Sequence, residues 1–388
     1  MKPQFSQLHV LRHDKWLLSC LTWIPILLAL LIWGVFSAGI ARDLPIGVVD
    51  NAHSTLSRKL TQMLDASSTM SVEYQFSDVL QAKNAMIEGK VYAYVIIPDH
   101  FDRDIYLQRA PQVSVFYNSQ YILIGRLINS AVVQAQGFFN AGLETMKSLS
   151  HGNSTVQGAL GNAVTISTQI SPLFNQNTNY AQFLVSAVVP AIWQIMIVVC
   201  SILILAANLR VYARKPEHLD RWLGTQPFKV ISKTLAAYLP IFLLHGFAFL
   251  FWFYFVLDWP FQGHLLPIMI AQLATTIACM IMGAFFFFMT LDAARAMSFA
   301  GAFTAPSFAF MGITFPVSDM GSLAQFWRSL LPISHYIEVQ VAQASYGTSA
   351  LTSLTHLLPM VGYVLPAFLA VALAKRHLKK TEATNVPV

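Results

Sequence analysis

Six stretches of this chain run for twenty or more residues without a single Asp, Glu, Lys or Arg: 17–40, 183–209, 234–257, 265–291, 296–315 and 354–374. A helix rises 1.5 Å per residue, so about twenty apolar residues cross the roughly 30 Å of a bilayer's hydrocarbon. Each run is therefore long enough to be a transmembrane helix. The whole chain is 55% hydrophobic and only 11% charged, against about a quarter charged for soluble domains, which excludes a soluble enzyme. The first run is longer than the 7–15 residues of a signal-peptide core and reads as a retained helix. Cys20, Cys200 and Cys279 all fall inside the runs, where they pack as small apolar side chains and form neither a disulfide framework nor a zinc cluster.

The charges between the runs fall into a pattern. Lys2, Arg12 and Lys15 precede the first; Arg210, Arg214, Lys215, Arg221, Lys229 and Lys233 join the second to the third; Arg295 joins the fourth to the fifth; Lys375, Arg376, Lys379 and Lys380 follow the sixth. If six helices alternate, all of these lie on one side, and the other carries Asp258, Asp319, Arg328 and Glu338. By the positive-inside rule both termini are cytoplasmic. The net charge of +6 is thus topogenic, and no basic patch remains for nucleic acid.

Residues 42–182 hold nine basic and ten acidic side chains, an ordinary soluble balance. Short β-rich runs at 46–50, 72–76, 91–97 and 113–117 alternate with helical stretches at 56–64 and 78–88. Apolar residues then recur at helical spacing over 122–149, and 152–179 is a Gly, Ser, Thr, Asn and Gln-rich connector. The expected organisation is a lead-in and first helix over 1–41, an extracytoplasmic α/β domain over 42–182, and five further helices over 183–388. The fold class is a membrane all-α bundle of six transmembrane helices with an inserted extracytoplasmic α/β domain.

Catalytic signatures are lacking. A nucleotide-hydrolysing loop needs GxxxxGK[ST], whose backbone amides cradle phosphates; Gly89-Lys90 is followed by Val91 and has no upstream glycine. His335 and Glu338, with Tyr336, could share a helical face, but a zinc site needs a further ligand, and a polar cluster is the favoured reading. His245, in the third run, is a candidate proton relay, against the plainer reading of a neutral histidine bonded to a neighbouring helix. No run contains the acidic residue that ion-driven carriers need, and no internal repeat suggests one. Prolines in every run, including Pro190 and Pro306, are common in membrane helices.

Two connections stand out. The loop 208–233 carries six basic residues against Glu217 and Asp220. It reads either as a topogenic loop near anionic lipid or as a surface helix over 214–221 with Leu219, Trp222 and Leu223 on its apolar side and a turn at Gly224. The hairpin 315–355 is divided by Pro316, Gly321, Pro332 and Gly347 into pieces too short to cross, and is expected to re-enter the membrane and cap a pathway.

Several stretches resemble the permease subunits of type-2 ATP-binding-cassette exporters, in the branch with a large extracytoplasmic domain between the first two helices. They are Leu11-Arg-His-Asp-Lys15, Ile46 to Arg58, Val95-Ile-Ile-Pro-Asp-His-Phe101, Asn179 with Phe183 to Pro190, Gly224-Thr225, and Phe315-Pro316 with Leu331-Pro332 and Tyr336. Tyr180 stands where that family usually has proline, and Gln226 replaces an acid. The resemblance implies a transport subunit, not an enzyme, of a kind that exports drugs, lipids or polysaccharides, here from a bacterial inner membrane by alternating access, and the absence of charge from the runs favours an amphipathic or apolar substrate. It implies that the loop contacts a separate ATPase subunit, and the charged surface helix places that contact on Arg214, Glu217, Arg221, Trp222, Gly224 and Thr225; the re-entrant hairpin reads as an outer gate built from Pro316, Trp327, Pro332, His335 and Tyr336. ATP and magnesium would be bound by the partner, and no cofactor by this chain. A second permease copy or paralogue, membrane lipid and a periplasmic adaptor are the other candidate partners. The alternatives are a membrane-anchored receptor or scaffold whose domain binds a ligand, and a secondary transporter.

Overall fold

The computed structural model describes residues 6–37, 39, 41–107, 109–150, 174–175 and 179–384. Most of the expected connector 152–179 lies outside them. The chain falls into two compact units, one of residues 1–39 with 172–388 and one of residues 40–171.

In the first unit four helices among the described residues are long and apolar enough to cross a membrane: Tyr180–Ala213, Pro227–Val256, Leu265–Thr290 and Ala350–Lys380. The pair Lys15–Leu21 and Trp23–Phe36, bent by 44°, counts as a fifth if it is one span. At the bend Thr22 leaves helical geometry (φ −120°, ψ −83°) and its hydroxyl donates back to the Leu18 carbonyl at 2.7 Å, while Pro25 brings no N–H to the turn that follows. The run 296–315 departs from expectation: it is two helices, Ala293–Thr304 and the four-residue Ser307–Phe310. Pro306 supplies no backbone donor and its ring crowds the preceding turn, and the chain bends at Gly312, at φ +91°.

Burial ranks the spans. The apolar windows of Tyr180–Ala213 and Leu265–Thr290 are 67% and 56% buried, against 28% and 22% for the other two long helices, so these two form the centre. They approach backbone to backbone at Gly283, where a Cβ would lie 2.6 Å from Ser201 Cβ and 2.8 Å from the Val198 carbonyl oxygen. Close approach of this kind needs a glycine, because in lipid the helices are held by packing and not by exclusion of water. Gly283→Val is expected to separate the pair and to leave the protein aggregated on extraction, read by size-exclusion chromatography in detergent. A monodisperse variant of wild-type thermal stability would show that the two backbones can part without cost.

The helix Pro332–Ala344 joins this centre. Of its thirteen residues all but Glu338 and Val341 are buried, yet at about 20 Å it is too short to cross. Its first turn is held by another helix: the Ile333 N–H donates to Gln194 Oε1 at 2.8 Å, satisfying an amide that the helix cannot pair itself. Gln194 Nε2 donates in turn to Ser307 Oγ at 2.9 Å.

The second unit contains a four-stranded sheet of order β2-β1-β3-β4, with β1 Leu44–Asp50, β2 Met70–Gln75, β3 Ala93–Ile97 and β4 Ser114–Tyr117. β1 pairs parallel with β2 and β3, and β3 pairs antiparallel with β4. Helix Thr55–Asp65 starts with a capping box between Ser54 and Ser57, which satisfies two otherwise orphan donors. It packs with the long helix Ile122–Ser150, whose Ile128, Ala131, Val132, Ala135 and Phe139 recur on one face and share a core with Ile46, Val48, Leu60, Leu64, Val95 and Ile97.

Candidate functional site

The first candidate site grows from the end of Tyr180–Asn208. A π-helical turn, Leu209–Ala213, carries the chain out, and Arg214 at φ +65° breaks it. Lys215 is extended, as the residue before a proline prefers; a short turn Pro216–His218 and a helix Leu219–Leu223 follow. The helix expected over 214–221 is therefore shorter and displaced towards the C-terminus, with Pro216 as the cause. Gly224 (φ +55°, ψ −144°) then turns the chain into Pro227–Ala236 through a conformation only glycine adopts readily.

Leu219, Trp222 and Leu223 are buried, and the Trp222 ring stacks on Phe288 with centroids 6.4 Å apart. At 1% exposure Trp222 anchors the turn to the bundle and is not part of the exposed surface. Arg214, Glu217, Arg221, Gly224 and Thr225 are exposed and form the face that a partner could touch. The lead-in Gln7–His13 is tied to the same region. Gln7 and Asn208 exchange amide hydrogen bonds, both of 3.1 Å, Tyr238 Oη donates to Gln7 Oε1 at 3.3 Å, and Arg210 pairs with Asp14 at 2.5 Å. Short polar contacts thus tie the lead-in to the end of Tyr180–Ala213 and to Pro227–Val256.

The second candidate site is the hairpin 315–355, built from Val317–Asp319, Ser322–Ser329, Pro332–Ala344 and Ala350–Thr355. Pro316 is exposed and Trp327 half-buried, whereas Pro332, His335 and Tyr336 are buried. Tyr336 packs its ring against Trp193 (5.8 Å) and Phe249 (6.4 Å) and accepts from Gln272 Nε2 at 3.4 Å. His335 and Glu338 are not joined. The His335 ring bonds the Ser329 carbonyl at 3.0 Å, while Glu338 accepts from Arg328 Nη2 at 2.6 Å and lies 3.3 Å from His356 Nδ1. The Arg328–Glu338–His356 cluster lines a cavity of about 530 Å³ with Gln340 and Tyr254. Among the described residues no group of three His, Cys, Asp or Glu side chains could hold a metal.

Sequence reasoning passed over the glutamines. Gln194, Gln272, Gln340 and Gln343 are all buried; Gln340 donates to the Ser186 carbonyl at 2.9 Å, and Gln343 accepts from the His264 N–H at 2.8 Å. A primary amide inside or beside a charge-free run is itself the signal, since it must find partners on other helices.

A family model described as ABC-2 family transporter protein matches residues 15–373. Comparison with curated proteins and with solved structures finds no match.

Proposed function

The chain belongs to the ABC-2 family of transporter proteins, and on that premise we propose that it is the exporting permease subunit of an ATP-driven pump. It is a multi-pass membrane component whose family works with a separate ATPase. In our reading the six runs are arranged with both termini in the cytoplasm of a bacterial inner membrane, the hairpin 315–355 dips in from the outer side, and residues 42–182 form the extracytoplasmic α/β domain of the family's large-domain branch. A second copy or paralogue completes the pathway, an amphipathic or apolar substrate moves outward by alternating access, and a periplasmic adaptor can extend the route.

The observation that carries this reading is the exposed face of Arg214, Glu217, Arg221, Gly224 and Thr225, fastened beneath by Trp222 to the bundle. A chain without a phosphate loop must receive its force from outside, and this face is held to the bundle by the buried Leu219, Trp222 and Leu223. ATP and magnesium then act on the partner, whose closure pushes the face and is transmitted along Tyr180–Ala213.

Co-purification tests the proposal. Solubilised from its native membrane, the chain is expected to bring an ATPase subunit with it, and reconstituted proteoliposomes to transport only with ATP. A complex without ATPase activity, or transport driven by an ion gradient alone, overturns it. Topology has its own test: cysteines placed at Glu73 and Lys215 are expected to react with an impermeant thiol reagent from opposite sides of the membrane, and labelling from one side sinks the assigned orientation.

A further inference from the structure

Between the bent pair Lys15–Leu21/Trp23–Phe36 and the helices Tyr180–Asn208 and Leu239–Phe251 lies a cavity of about 650 Å³, within the roughly 300–1,000 Å³ of small-molecule sites. We propose that this cavity is a binding site for an uncharged amphipath with a flat ring body and one hydrogen-bonding group, which meets His245.

The chemistry of the wall selects that class. Four of the sixteen lining residues are aromatic (Trp23, Trp193, Phe249 and Trp252) and most others are aliphatic, a surface that favours a planar apolar body through offset and edge contacts. His245 is the one titratable side chain in the wall, and it has no hydrogen-bond or ionic partner among the described residues. Its imidazole offers one donor and one acceptor, both left for an occupant. Trp193 contributes no such group, since its Nε1–H is already given to the Phe242 carbonyl at 2.9 Å. With no Asp, Glu, Lys or Arg in the wall, a permanently charged ligand would lose its hydration without compensation. Leu21, Thr22, Trp23 and Pro25, at the 44° bend of the first helix pair, line the cavity, so the bend found in the fold also shapes this site.

Two rings of the wall face a second neighbour. Trp193 and Phe249 are the rings packed on Tyr336, which belongs to the buried helix of the hairpin. An occupant of the cavity therefore lies one aromatic layer from the segment assigned as the outer gate. That the occupant is exported cargo rests on the permease reading; the existence of the site does not.

The test uses the full chain in lipid nanodiscs and equilibrium dialysis of tritiated pyrenebutanol, butylpyrene and a pyrenebutyl trimethylammonium salt, each measured against protein-free nanodiscs. Pyrenebutanol is expected to bind saturably, butylpyrene about three- to tenfold more weakly for want of one hydrogen bond, and the ammonium salt not saturably. Ala248→Trp and Ala29→Trp fill the cavity from different helices and are each expected to abolish saturable binding while the protein stays monodisperse. His245→Phe is expected to bring pyrenebutanol down to the level of butylpyrene. Unchanged binding in both filling variants, or a hydroxyl preference that survives His245→Phe, overturns the assignment. A ring-bearing lipid displaced from the native preparation by pyrenebutanol would trace the natural occupant to the membrane; displacement of none, with pyrenebutanol still bound, would trace it to molecules from outside. Both results keep the site. Dialysis is read without the ATPase, so loss of binding leaves the permease reading intact, and failed ATP coupling leaves the site intact.

Discussion

Glu338→Leu is expected to deplete the folded protein severely, and adding Arg328→Met to the same chain is expected to restore most of it. The Arg328 side chain is 10% exposed and that of Glu338 30%, and they meet at 2.6 Å. The other carboxylate oxygen lies 3.3 Å from His356 Nδ1. Removing the acid leaves a guanidinium buried without its counter-charge, a loss of about 3–5 kcal/mol for pairs of this kind, whereas replacing both partners by apolar groups of similar volume is often neutral. Such a loss is a large fraction of a typical folding stability. Thermal unfolding of the detergent-extracted variants, with membrane yield alongside, separates the cases. A double variant as unstable as the single one would show that the carboxylate acts through something other than the pair.

Gly224→Pro and Arg221→Glu are expected to leave the protein inserted and folded, and to reduce substrate-stimulated ATP hydrolysis and transport at least tenfold in the reconstituted complex. The two variants act by different routes. Gly224 adopts φ +55° with ψ −144°, and proline, fixed near φ −65°, cannot take up that conformation, so the turn and the exposed face on either side of it must move. Nothing lies within 4 Å of a Cβ at Gly224, so the effect is one of backbone conformation and not of a steric clash. Arg221 is exposed beside the buried Trp222, and reversal of its charge alters only what a partner meets. A tenfold change corresponds to about 1.4 kcal/mol of coupling free energy. Wild-type coupling in both variants would mean that the loop serves orientation alone, and the contact with the ATPase must then be sought on another surface.

The lengths and places of most spans were legible because lipid leaves the backbone few choices. The runs 183–209, 234–257 and 265–291 correspond to Tyr180–Ala213, Pro227–Val256 and Leu265–Thr290, since a charge-free chain in hydrocarbon must satisfy its own amides. In the second unit, short β-rich runs marked β1 and β3, and an apolar stripe at helical spacing marked Ile122–Ser150. What prolines would do was not legible. Pro190 sits inside an unbroken helix, whereas Pro306 separates two short ones. The first is enclosed in a span 67% buried, where neighbours hold the helix in line; the second is followed by Gly312 at positive φ, and the chain turns.

The placement of Pro332–Ala344 also depended on distant partners. The short pieces of the hairpin predict re-entry into the membrane, but not the near-complete burial of this helix, which Gln194 and Gln272 help to fix by bonding the Ile333 amide and the Tyr336 hydroxyl from 139 and 64 positions away. Trp222 reads as a surface aromatic until Phe288 is brought beneath it. Sequence alone determined where this chain can lie in a membrane and which segments are too charged or too short to cross, because transfer into lipid depends on each segment's own composition. Only the tertiary structure decided which polar side chains are buried, which exposed face is fastened to the bundle, and where a cavity opens with a histidine that has no partner among the described residues, because each of these depends on contacts between residues far apart along the chain.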